Sequence, residues 1–178
     1  MKKNIIAPLM AILVVGLLLL GVDAGIGEYA RWNAQQEHLK TMRTLLPGSV
    51  NFTLETYTGE DANIRSVHKG ETGFVIETAT RGYADEIVML VGVSSEGKVT
   101  GLTIRDIHET YGLGNTALTD WEFLAQFLST TGDAQVGENV DAISGATVTS
   151  KAITRCVNSA VAYVTGADTN SGATSWGG

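Results

Sequence analysis

The sequence predicts an α+β fold: an N-terminal transmembrane helix, then a single domain with a mainly antiparallel, twisted sheet packed by helices. Three observations carry this prediction. An unbroken apolar run extends from Ile5 to Val22 behind Lys2 and Lys3. Between Asn51 and Asp106 the apolar residues shift toward the two-residue period of strands. After Asp106 the spacing returns to the helical one, first around Trp121–Leu128 and then from Val148 to Val164. The expected organisation is an anchor over residues 1–24, a stalk helix over 25–48, the domain proper over 49–166 and a flexible tail over 167–178.

Composition narrows the function classes. The chain has 178 residues and a formal net charge of −7, with no basic stretch of the kind that tracks a nucleic-acid backbone. A single cysteine excludes a disulfide within the chain, and excludes a thiolate zinc or iron–sulfur site built by this chain alone. Cys156 falls on the apolar side of the last helical pattern and is expected in the core. His38, His68 and His108 have no ligand spacing, so no metal site is expected. Nor does any pair of residues suggest general acid–base work or an activated nucleophile, so no catalytic residue is assigned.

The run from Ile5 to Val22 is close to the length needed to cross a bilayer. Pro8 stands near its start, where a helix tolerates proline. Lysines before the run and Asp23 and Glu28 after it place the N-terminus in the cytoplasm and the domain outside. The rival reading is a cleaved signal peptide, because Val22-Asp23-Ala24 loosely resembles a cleavage site; the length of the run and the central Asp favour a retained anchor. From Ile26 to Leu46 a second helical pattern sets Tyr29, Trp32, Leu39, Met42, Leu45 and Leu46 among charges, until Pro47-Gly48 stops it. This is the stalk, with Trp32 near the membrane interface.

Phe52 to Leu54 is a weak strand and Phe74 to Thr78 a stronger one. Ile87 to Val93 is an apolar, β-branched run, and Val99 to Ile104 is its partner in a hairpin closed by Ser94-Ser-Glu-Gly97. Gly82-Tyr83 lies in the loop before this hairpin. Tyr83 is expected to pack there, with stacking on a cofactor as the alternative. Next comes His108-Glu109-Thr110-Tyr111-Gly112-Leu113-Gly114. Gly112-x-Gly114-x-x-Ala117 has the letters of a dinucleotide fingerprint, but no βαβ unit and no ribose-binding acid follow, so that reading is rejected. His108 is expected to be structural or exposed rather than a proton donor. A helix then starts with Thr119-x-x-Glu122 in the form of a capping box, with Trp121, Phe123, Leu124, Phe127 and Leu128 on its buried side.

The stretch around which the chain is organised is Asp141-Ala-Ile-Ser144-Gly145-Ala146-Thr147-Val-Thr-Ser150. It runs into a helix whose apolar positions are Ile153, Cys156, Val157, Ala160, Val161 and Val164. Ser144 to Thr147 therefore sit at a helix start, where unpaired N–H groups and the positive end of the macrodipole favour an anion. Gly145 and Ala146 keep the approach open. An ordinary N-cap by Ser144 or Thr147 is the plainer alternative.

Asp141-x-x-Ser144-Gly145-Ala146-Thr147 resembles the flavinylation motif of FMN-binding domains in the G subunit of Rnf complexes and the C subunit of sodium-pumping quinone reductases. Glu109, Thr110, Gly112, Leu113 and Gly114 resemble that family's second signature, an acidic-Thr-Pro-Gly-Leu-Gly loop, with Tyr111 where the family commonly has proline. The resemblance implies FMN held by its phosphate on Thr147, attached by a flavin transferase that splits FAD. It further implies that Ser144, Gly145 and Ala146 surround the phosphate and that Asp141 orients or signals to the transferase. Thr110, Gly112, Leu113 and Gly114 would lie near the isoalloxazine ring. Asp168-Thr-Asn-Ser171-Gly172-Ala173-Thr174 repeats the motif without a helix after it, so Thr147 is preferred to Thr174.

The resemblance implies an electron-carrying subunit of a membrane-bound, ion-translocating oxidoreductase, with other membrane subunits as partners. Its flavin would lie on the outer face of the cell membrane. Two other functions fit the same residues: a free-standing anchored flavoprotein that serves another acceptor, and a non-redox anchored binding domain in which the motif merely caps a helix.

Overall fold

The computed structural model of the chain describes Met10, residues 28–108 and residues 114–167. The expected anchor over 1–24 (Met10 apart), the sequence from Glu109 to Leu113 and the second motif with Thr174 lie outside the described residues. Among the described residues no helix is long and apolar enough to cross a membrane. The chain divides into two compact units, Met1–Lys40 and Thr41–Gly178. Helix α1 covers residues 28–45 and so falls partly in each. In the first unit its exposed Tyr29 and Trp32 stack with ring centroids 6.4 Å apart, the contact that an i, i+3 pair allows.

The second unit is built on a five-stranded antiparallel sheet in sequence order: β1 Thr53–Glu55, β2 Ile64–Lys69, β3 Gly73–Arg81, β4 Glu86–Ser94 and β5 Val99–Ile107. A 3₁₀ helix, Gly114–Leu118, and a short α2, Trp121–Ala125, follow β5. Helix α3, Thr147–Thr165, closes the described chain. The α+β class and the antiparallel sheet are as expected, and the all-antiparallel order leaves no βαβ unit for a dinucleotide fingerprint among the described residues.

Both faces of the sheet are covered. On one, Ile76, Ile87, Met89, Val91 and Val93 join Ile153, Cys156, Val157, Ala160 and Val161 of α3 in a single buried cluster. Alternation turns Val75 and Leu90 to the other face. They are buried there, as are Met42, Leu45 and Leu46 at the end of α1, and Leu45 lies against Gly92 and Gly101 of that same face. Burial on both sides is why Ile87 to Val93 has no polar alternation, although its sheet is antiparallel. The apolar positions of α3 fall as the spacing predicts, with Val164 only half-buried.

The sequence reading missed β2. Only Ile64 and Val67 are buried in it, and a bulge between Ile64 and Ser66 puts those two residues, three apart, opposite Thr78 and Ile76 on the same side. A spacing of three does not look like a strand. The second helix also needs correction. Thr119 does not cap it: its hydroxyl donates to the Thr116 carbonyl, and the Asp120 carboxylate accepts from Phe123 N at 2.9 Å as the N-cap. Phe123, Leu124 and Phe127 are buried as expected, but Trp121 is 74% exposed and Leu128 48% exposed. The helix is only five residues long, so it turns one narrow face inward and cannot cover both flanks.

A carboxylate clamp fixes the turn after α1. Glu71 accepts from Val50 N at 2.9 Å and from the Asn51 side-chain amide at 3.0 Å. Its own backbone N–H and that of Val50 hold the Glu71 carboxyl down from 4.5 to about 2. A depressed carboxylate stabilises the fold above its unfolded value and loses that contribution as pH falls through its folded one. In urea titrations, wild type should therefore lose midpoint between about pH 4.5 and about pH 2. Glu71→Gln should start lower and lack that part of the acid-dependent loss. Equal slopes in the two proteins would show that the clamp is not coupled to folding.

Candidate functional site

The segment before α3 is shaped by a turn and tied by two side chains. Ala146 N donates to the Ile143 carbonyl at 2.9 Å, closing Ile143-Ser144-Gly145-Ala146, and Gly145 has φ +74° at the third position. A turn with positive φ there selects glycine. Buried Ser150 holds the loop from below: its hydroxyl accepts from Ile143 N and donates to the Ala146 carbonyl, both at 3.0 Å. Gln126, just past α2, bonds the backbone of Asp141 on both sides, accepting from its N–H at 2.7 Å and donating to its carbonyl at 3.4 Å. Neither Ser150 nor Gln126 was assigned a role from sequence. The Ser150 signal is present, since a hydroxyl one turn inside a helix can reach back to the loop; the pairing of Gln126 with Asp141 is a matter of tertiary structure.

Helix α3 starts at Thr147 with Ala146 in the cap position, no side-chain cap and no acidic residue in its first turn. The plainer alternative, in which Ser144 or Thr147 caps the helix, is therefore not realised. Asp141, Ser144, Gly145 and Thr147 are exposed, and Ala146 is buried. The first-turn N–H groups have no intrahelical acceptor by geometry, and the helix dipole adds positive potential there. Thr147 thus presents a hydroxyl where an attached phosphate is electrostatically favoured.

Topology brings further segments to this end of the sheet. Thr80 donates to the Ala152 carbonyl at 2.9 Å and Arg155 to the Arg81 carbonyl at 3.1 Å, while Tyr163 stacks edge-on with Phe74. So α3 runs antiparallel to β3, and its start lies beyond the end of that strand. The β3–β4 turn with Tyr83 is there, and Ile107 opposite Ile87 brings the end of β5 alongside. Tyr83 is 69% exposed, which overturns the expectation that it packs and leaves the ring available to a ligand. His108 is exposed, with Nδ1 3.3 Å from the Asp106 carboxylate, as expected of a histidine without a buried role. Gly114 opens the 3₁₀ helix. Thr110, Gly112 and Leu113 lie outside the described residues.

Between α2 and the motif loop is an open groove of about 390 Å³. Asp120, Glu122, Gln126 and Asp141 supply its polar rim, and Phe123 and Ile143 its apolar walls. Carboxylates suit hydroxyl or ring N–H donors and repel a phosphate, so the groove fits the polyol or ring of a nucleotide-like ligand and not its anionic end. Cys156 is buried against Thr80, and burial pushes its thiol up from the ordinary value, which makes it a packing residue. Taken together, the uncapped helix start favours an anion and the groove fits the polyol or ring of a flavin nucleotide.

Comparison with known proteins matches residues 82–162 to a family described as FMN-binding domain, a segment that includes Tyr83, the groove and the whole motif. The chain is 36% identical over 118 residues to the G subunit of the Na(+)-translocating ferredoxin:NAD(+) oxidoreductase complex of Acetobacterium woodii, covering 61% of this chain and 54% of that protein. It is 34% identical over 145 residues to the G subunit of the ion-translocating oxidoreductase complex of Methanosarcina acetivorans, covering 72% and 76%. With the G subunit of the like-named complex of Pseudoalteromonas atlantica it shares 30% identity over 91% of this chain and 86% of the other. The chain spans about half the length of the Acetobacterium and Clostridium ljungdahlii proteins that it matches, 54% and 53%. A chain that carries the FMN-binding segment and aligns with most of two of these relatives belongs to the FMN-binding family of ion-translocating oxidoreductase complex G subunits.

Proposed function

We propose that this protein carries FMN joined through its phosphate to Thr147 Oγ, and that it serves as the electron-carrying subunit of a membrane-bound, ion-translocating oxidoreductase. The observation that carries the reading is the exposed Thr147 hydroxyl, at the first position of a 19-residue helix with no side-chain cap and no acid in its first turn. Attachment uses FAD as co-reactant. The Thr147 oxygen bonds to the FMN-side phosphorus, the P–O bond to AMP breaks, and the hydroxyl proton leaves with AMP or solvent. A flavin transferase supplies the catalytic groups for that exchange. Once bound, the flavin supplies the redox chemistry of the protein.

The chain's residues hold and shield it. Ser144, Gly145, Ala146 and the first N–H groups of α3 border the phosphate, and Asp141 orients the loop or signals to the transferase. Tyr83, with Thr110, Gly112, Leu113 and Gly114, borders the ring. Exposed Trp121, beside the groove, offers a second aromatic face there, a contact that the sequence reading assigned to the core.

The relatives' names speak of translocating complexes, which supports membrane subunits as partners. Residues 1–24 act in this reading as a retained anchor with a cytoplasmic N-terminus, 25–48 as the stalk and 167–178 as a tail, which puts the flavin on the outer side. A cofactor fixed by a covalent bond suits that side, where a lost FMN could not readily be replaced. Co-expression with a flavin transferase should give a protein whose intact mass has risen by FMN less one water and whose band fluoresces after full denaturation. Unmodified mass and a dark band would remove the flavin from the reading.

A further inference from the structure

We propose that Gln126 is a positioning residue of the flavin site: its side-chain amide ties the two walls of the groove together and fixes their separation. This rests on the reading that the chain carries FMN with its polyol or ring in that groove. One wall is α2 with the residue before it, which supply Asp120, Glu122 and Phe123; the other is the motif loop from Asp141 to Ser144. Gln126 stands just past α2, lines the groove and reaches across it. Its Oε1 accepts from Asp141 N–H at 2.7 Å, and its Nε2 donates to the Asp141 carbonyl at 3.4 Å. A primary amide carries donor and acceptor in one plane, so it engages both backbone groups of one residue as a neighbouring strand would.

Packing does not place Asp141, which is exposed. The residues on either side of it are held from elsewhere: Val140 N donates to the Gln135 carbonyl at 3.1 Å, and Ile143 N to the Ser150 hydroxyl of α3 at 3.0 Å. Neither bond refers the loop to α2; those of Gln126 do. Helix α2 has only five residues, a length that holds its place by tertiary ties and not by its own helical bonds. The apolar surfaces of the groove are Phe123 on one wall and Ile143 on the other. A ligand that rests on both is held well only if their separation is constant, because walls fixed beforehand need no ordering when it binds. Gln126 therefore acts on the ligand through Asp141 and the loop, and takes no part in the chemistry of attachment.

The test uses the full chain and compares wild type, Gln126→Met and Gln126→Glu. Methionine keeps the length and loses both bonds; glutamate keeps the acceptor for Asp141 N–H. Amide hydrogen exchange is read first, on flavin-free protein. The Asp141 amide should exchange faster by about fivefold in Gln126→Met, the net effect of one intramolecular hydrogen bond. It should stay near wild type in Gln126→Glu, with the β4 amides, which report global opening, unchanged in both. The proteins are then loaded with a purified flavin transferase and FAD, and the fluorescence anisotropy and visible circular dichroism of the flavin are read. Both should fall in Gln126→Met and hold in Gln126→Glu. Failure of Gln126→Met to load while Gln126→Glu loads would support the proposal as well, since only the first lacks the acceptor. Faster exchange at Asp141 with wild-type anisotropy and dichroism would overturn it, and so would exchange that rises equally at Asp141 and in β4, the mark of a general loss of stability. Wild type that takes no flavin would instead overturn the reading on which the proposal rests, and the two failures are distinct.

Discussion

Thr147→Ala, matured alongside a flavin transferase, is expected to lose all flavin fluorescence in a denaturing gel while melting close to wild type. The two halves of this result have separate causes. The label is lost because no other atom at that position can form the ester, so the effect is complete and not graded. The fold survives because the hydroxyl does no structural work: Thr147 is exposed, and the helix it opens has no side-chain cap to lose. Alanine is the better helix former by a few tenths of a kcal/mol, so stability should hold or rise slightly. Thr147→Ser keeps a hydroxyl on the same Cβ and should retain the label. Thr174→Ala removes the hydroxyl of the second motif and should leave the fluorescence unchanged. Fluorescence that survives in Thr147→Ala and disappears in Thr174→Ala would move the site to the second copy.

The loop and helix start that frame the motif were legible in the residues, because their signals are local. Asp141 to Thr147 precede a long apolar periodicity, so the helix start could be placed within Ser144 to Thr147, and the structure opens it at Thr147; Gly145 was valued for its lack of bulk, and the structure adds a turn that needs its φ of +74°. The β4–β5 hairpin was equally plain, since a glycine turn joined two β-branched runs. What sequence did not carry was set by tertiary structure. Residues Ile64 to Lys69 form a strand only because a bulge realigns Ile64 and Val67 against β3. Trp121 has every local reason to be buried, yet a helix of five residues offers no inward position for it. Tyr83 was assigned to packing on its aromatic character alone, and its place at a hairpin turn exposes it. Gln126 and Asp141 are fifteen residues apart, and nothing in either one's neighbourhood announces the other.

Gly92→Ala should cost far more than its single added carbon suggests. A Cβ at Gly92 would meet the Leu45 carbonyl oxygen at 2.2 Å and its carbon at 2.7 Å. Both are backbone atoms at the end of α1, so no rotamer change relieves the contact. That carbonyl is also held from the sheet by the Thr100 hydroxyl at 2.6 Å. The helix end must therefore lift from β4 and β5 and loosen the packing of Met42, Leu45 and Leu46 over Val75 and Leu90. Overpacking of this kind costs about 1–3 kcal/mol, against about 0.5 kcal/mol gained by restricting the unfolded chain, so destabilisation wins. Gly166→Ala is the useful contrast. Nothing lies within 4 Å of its Cβ position, and its cost is conformational, from φ +71° at the end of α3, about 1 kcal/mol. Urea unfolding should show a large midpoint loss for Gly92→Ala and a smaller one for Gly166→Ala. If the two losses are equal, Leu45 does not seat on Gly92 in solution. The second covered face would then have to be abandoned, and with it the reason that Ile87 to Val93 is apolar at every position.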